Sequence, residues 1–164
     1  MRLLVLFCAS QCVGCYDFDA LSSSFDVSGQ YSVNITNGQN GCAFGNWTPG
    51  ASSSGIPLAI TQSGQQVVAT IGGTTGDYVN FFCGSKEFVG MIVAGGFEAR
   101  LACTKTFTQQ TCIYRVIADA KAQVRGDVVT GTLDYTTATN SDSTCGTLVN
   151  CHSSQNFNGA RPPR

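Results

Sequence analysis

The chain has 164 residues and a formal net charge of −1, a single-domain length with no basic footprint for a nucleic-acid partner. Only 12% of it is charged, while Gly, Ser, Thr and Val are abundant, a balance that favours strands and turns over helices. The class expected is all-β.

Met1 and Arg2 precede an apolar run, Leu3 to Phe7, and small residues follow at Val13 and Gly14. A short basic start, an apolar centre and small residues at the cut make a secretory signal. Ser10 and Gln11 interrupt the run, which is too short for the roughly 20 residues a membrane-crossing helix needs. Cys12, Val13, Gly14 and Cys15 resemble the lipobox of bacterial lipoproteins, with Cys12 where that motif usually has Leu. The resemblance implies that residues 1–14 are removed and that Cys15 is lipidated. It also implies an address in the bacterial cell envelope, on the periplasmic or cell-surface side, with the membrane as partner through the lipid. The alternative is an ordinary secretory signal cut near Gly14, with Cys15 a plain thiol or disulfide partner. Residues 15–27 hold Ser22, Ser23 and Ser24 with Asp17, Asp19 and Asp26, the composition of a flexible tether. Residues 28–164 are then the β-domain.

Strand signals run through that domain. Gly29 to Thr36 and Cys42 to Trp47 are the first two candidates. Leu58 and Ile60 lead into Ser63 and Gly64, after which Val67, Ala69 and Ile71 resume the alternation, a hairpin pattern. Gly72 to Gly76 lacks the Gly-Lys-Ser/Thr ending of a phosphate loop and reads as a strand connection, with Tyr78 to Cys83 the next strand. Phe88 to Ala94 turns at Gly95 and Gly96 into Phe97, Ala99, Leu101 and Cys103. The clearest run is Cys112, Tyr114, Val116, Ala118, Ala120, Ala122 and Val124, apolar at every second position, with Arg115, Asp119, Lys121, Gln123 and Arg125 between and Ile113 and Ile117 as exceptions. A helix would scatter those polar residues around its circumference, whereas a strand sorts them onto one face. So long a strand is expected to bend or bulge. Gly126 and Asp127 turn it into Val129, Gly131, Leu133 and Tyr135. About eight or nine strands result, an antiparallel meander closed as an up-and-down barrel in preference to a sandwich.

Apart from Cys8, Cys12 and Cys15 there are six cysteines, an even number that implies three disulfides in an exported chain. Cys103 and Cys112 share the inward register of adjacent strands, and Cys145 and Cys151 flank a short loop. Those are the pairs expected, with Cys42 and Cys83 left for each other. No metal site is expected, because the cysteines lack paired spacing.

Catalytic groups are sparse. His152 is the only histidine and follows a cysteine, Glu87 and Glu98 are the only glutamates, and no Gly-x-Ser-x-Gly elbow occurs. His152 reads as an exposed or hydrogen-bonded loop residue, Glu87 and Glu98 as surface strand positions, and Asp127 and Asp134 as turn and outward positions. The loop Asn140 to Ser143 offers oxygens but not the spacing of an EF-hand, so it reads as a solvated turn. Asn34-Ile35-Thr36 and Asn46-Trp47-Thr48 match the glycosylation sequon, which bears only on a eukaryotic secretory route.

Gly45, Asn46 and Trp47 resemble the Gly-x-Trp motif of lipocalins, and Asp77 with Tyr78 resembles part of a second lipocalin motif. Here Thr48, Pro49 and Gly50 interrupt any strand after the tryptophan. The resemblance implies an eight-stranded barrel with an apolar pocket for a small ligand. Trp47, Phe44, Phe81, Phe82 and Phe88 are core residues first, and Trp47, Phe81, Phe88, Tyr114 and Tyr135 are the candidate pocket lining. The leading expectation is a membrane-anchored lipoprotein with a non-catalytic binding or structural role, toward a small apolar ligand or a surface protein, without a cofactor. A lipocalin-like carrier is second and a hydrolase third.

Overall fold

In the computed structural model, residues 25–163 are described. Nine antiparallel strands follow the chain: β1 Gly29–Asn40, β2 Ser52–Ser63, β3 Gln66–Ile71, β4 Glu87–Val93, β5 Gly96–Ala102, β6 Phe107–Gln109, β7 Cys112–Arg125, β8 Val128–Thr139 and β9 Ser153–Ala160. Apart from β5 and β6, which share one edge of β7, each strand pairs with its sequence neighbours; β9 returns to β1 and β5 pairs with β7, so eight strands close an up-and-down barrel. β6 is an extra strand on the rim, paired with the first residues of β7. The expected all-β meander and its barrel closure are what the chain forms.

Alternation explains the interior. Ala118, Ala120, Ala122 and Val124 of β7 are buried, as are Phe97, Ala99 and Leu101 of β5 and Val67, Ala69 and Ile71 of β3. Two-residue turns join β2 to β3, β4 to β5 and β7 to β8, each with a glycine at positive φ: Gly64, Gly95 and Gly126. Gly131 serves differently. It faces inward from β8 opposite Phe157 of β9, and a Cβ there would lie 2.5 Å from the ring, so only glycine admits that phenyl group.

Several expectations need correction. Cys42 to Trp47 is not a strand but part of the loop from β1 to β2, where Ala43 and Asn46 take positive φ and Asn40 bonds Phe44 in both directions. A side chain that satisfies the backbone in this way competes with a strand ladder. Tyr78 to Cys83 belongs to an α-helix, α1 Gly73–Cys83, which ends at Gly84 in the left-handed region with its N–H bonded to the Asn80 carbonyl. Gly73 to Gly76 therefore opens that helix rather than merely linking strands. The connection from Thr104 to Thr111 contains β6, and a 3-10 segment, Ser143–Leu148, follows β8. β7 does not bulge: its pairing with β8 runs unbroken from Tyr114 to Arg125, and its other edge passes from β6 to β5. The irregular strand is β1, whose register shifts against both partners. At residues 25–27, assigned to the tether, Phe25 packs on the core and Val27 is fully buried, with its N–H on Gln62, so the barrel begins earlier than composition implies.

Among the described residues three disulfides form, Cys42–Cys151, Cys83–Cys103 and Cys112–Cys145. The six expected cysteines are paired, but none of the expected partners is correct. Cys103 and Cys112 are separated by β6, and the helix carrying Cys83 packs on β2 and β3 with its last turn held to the residues just past β5, where the Thr104 N–H donates to the Cys83 carbonyl. The short Cys145 to Cys151 loop serves two different bridges.

The barrel thus has two unlike ends. Tight hairpins form one end, where the chain also enters and leaves. Tyr31 donates to the Val27 carbonyl there, and Arg161 bonds Asp127 and the Ser28 carbonyl. The other end carries the long β1–β2 loop, α1, β6 and the 3-10 segment, and all three disulfides.

Candidate functional site: the disulfide-braced end

At this end the barrel interior changes from apolar to polar. Below lie Leu133 and Phe157; above them Tyr135 donates its hydroxyl to Gln155 Oε1 at 2.5 Å, and Gln155 Nε2 donates to Asn37 Oδ1 at 2.7 Å. Asn37 in turn donates to the Thr48 carbonyl of the covering loop, whose Trp47 donates Nε1–H to the Gly38 carbonyl at 3.1 Å. Trp47 and Phe44 close over Tyr135 with ring centroids 5.5 and 6.4 Å away. Burial pushes the Tyr135 phenol well above the usual tyrosine range, because a phenolate would lose its hydration.

Beneath this cap the barrel is nearly filled. The residual cavity is about 40 Å³, lined by apolar side chains including Phe88, Phe97, Leu133 and Phe157. Ligand pockets for drug-sized molecules are roughly 300 Å³ or more, so the interior has no room for a carried molecule of that size.

Outside the cap lies a groove of about 440 Å³ between the β1–β2 loop and the 3-10 segment. Phe44 and Tyr114 supply its ring surfaces, and Gln109, Thr144, Thr147 and Gly146 supply its polar edge. Disulfides hold both walls, since Cys42 ties the loop to Cys151 and Cys145 ties the 3-10 segment to Cys112. Asp142 caps that segment: its carboxylate accepts from the Thr144 backbone N–H, the Thr144 hydroxyl and the Thr111 hydroxyl, which lowers its pKa from the usual range.

The five candidate pocket residues do not share a pocket. Phe88 lines the interior cavity, Trp47 and Tyr135 form the cap, and Tyr114 borders the groove. Phe81, expected in the core, is 69% exposed on α1. It edges onto Phe82, which begins a strip of rings through Phe107 to Tyr114 at centroid distances of 6.2 and 5.4 Å. Lys105 sits over Phe81 at 5.3 Å.

No known family model, curated protein or solved structure matches this chain. The polar candidates are accounted for locally. His152 is exposed and bonds Asp134 Oδ1 at 2.9 Å and the Gln39 side chain at 2.8 Å, bracing β9 to β8 and β1. Glu87 begins β4, while Glu98 lies on β5 opposite Met91, both exposed. Asp127 is a turn residue paired with Arg161. The oxygens of the 140–143 loop are taken up by its own backbone and by Thr111, Ile113 and Thr144. Among the described residues no cluster of His, Cys, Asp and Glu is placed to hold a metal, and no helix is long and apolar enough to cross a membrane. Three disulfides mark an oxidising, extracytoplasmic environment.

Gln109, Thr144 and Thr147 were not among the candidates. They carry no periodic signal, and what brings them together is a disulfide pairing that spacing did not reveal.

Proposed function

We infer that this protein is an exported lipoprotein held to a bacterial membrane through Cys15, and that its barrel is a non-catalytic binding module presenting the disulfide-braced end. One observation carries the reading. The described residues begin at Phe25 beside the hairpin turns, and Arg161 closes the same end, opposite the braced loops, which supports a module that presents those loops. The lipobox resemblance at Cys12 to Cys15 supplies the anchor, and stable anchoring follows when more than one acyl chain is buried.

The small interior cavity turns the reading from a carrier toward a surface binder. Membrane fractionation of the wild type and Cys15→Ser tests it. Wild type is expected with the membranes and the variant in the soluble fraction; equal distribution would refute the anchor.

A further inference from the structure

The geometry points to the groove between the β1–β2 loop and the 3-10 segment as a binding site for a neutral saccharide. This deepens, and rests on, the reading of the barrel as a binding module.

The lining excludes charged ligands first. No acidic or basic side chain borders the groove, and its two cysteines, Cys42 and Cys145, are locked in disulfides. A phosphate, carboxylate or ammonium group would therefore lose hydration without gaining a counter-charge. Its volume of about 440 Å³ is that of a small-ligand site.

The remaining groups match the two-sided chemistry of a sugar ring. A pyranose has an apolar face of C–H groups and a rim of hydroxyls that both donate and accept. Aromatic rings offer an apolar, electron-rich face to such C–H groups, and Phe44 and Tyr114 border the groove. Amide and hydroxyl side chains satisfy the rim, since an amide presents both donors and an acceptor and a hydroxyl can do either. Gln109 and Thr147 make no side-chain hydrogen bond among the described residues, whereas Thr144 is held by Asp142. Two polar groups are thus free for a ligand, and a third is fixed in place.

Preorganisation favours binding as well. The bridges to Cys151 and Cys112 fix both walls before a ligand arrives, reducing the ordering cost of association.

The test is an NMR titration of the oxidised full-length protein in detergent with maltotriose, cellotriose and tri-N-acetylchitotriose separately. At least one should give saturable shifts confined to signals such as Gly45, Gln109 and Gly146. Thr147→Val and Gln109→Leu, both at exposed positions, should each weaken that binding about fivefold, the loss of one neutral hydrogen bond. Absence of saturable shifts with all three sugars would overturn the assignment, as would binding indifferent to both variants. Binding of an N-acetylated, C-amidated Gly-Ser-Thr-Gly-Ser peptide in place of the sugars would also overturn it while leaving a binding module intact. The anchor is read separately by fractionation of Cys15→Ser, so the two failures are distinguishable.

Discussion

The indole of Trp47 stands edge-on to the phenol of Tyr135, with centroids 5.5 Å apart and ring planes at 85°. The contact joins a loop residue to a strand residue and seals the barrel over the Tyr135, Gln155 and Asn37 network. Replacing either ring by alanine would open a polar layer that the fold has already satisfied internally.

Tyr135 gives this seal a pH dependence. Burial raises its folded-state pKa above the value of about 10 expected when unfolded, so the folded state holds the proton longer. Its contribution to stability is full below about pH 10 and is lost as pH rises toward the folded-state value. Denaturant titrations at neutral and strongly alkaline pH should show a decline that is smaller in Tyr135→Phe. At neutral pH the variant should lose about 1–3 kcal/mol, because Gln155 Oε1 is left without its donor. An unchanged alkaline decline would contradict the assignment.

The disulfides should differ in weight. Cys42–Cys151 spans 109 residues of sequence, against 33 for Cys112–Cys145 and 20 for Cys83–Cys103. If loop-closure entropy dominates, removing the first pair as Cys42→Ala with Cys151→Ala should cost about 4–5 kcal/mol, more than either of the others. Unfolding midpoints of the three paired-alanine variants check the order.

Gly131→Ala should destabilise by about 1–3 kcal/mol, since its methyl would meet the Phe157 ring and the Lys121 carbonyl. A lower denaturant midpoint with unchanged slope is the expected result. Wild-type stability would show that the strands can part there without cost.

What the sequence disclosed follows from periodicity. β7 is plain because Ala118, Ala120, Ala122 and Val124 point inward while Asp119, Lys121, Gln123 and Arg125 alternate with them on the outer face. β9 was invisible because its inward positions are Ser153, Gln155, Phe157 and Gly159: polar where the barrel turns polar, and small where β1 and β8 approach. In helix α1 the residues Tyr78, Phe81 and Phe82 have the side chains of β-formers, yet Tyr78 and Phe82 sit one helical turn apart with centroids at 4.5 Å. Gly84, a helix stop, was the available signal. Compartment was legible from the even cysteine count. Pairing was not, because it depends on which loops the closed barrel gathers at one end.

The most direct measurement of the central claim is the mass of the N-terminal peptide from protein purified out of its native cells. The account predicts a mature chain beginning at Cys15 and carrying covalently bound acyl groups. An unmodified Cys15, or a chain that begins elsewhere, would contradict it.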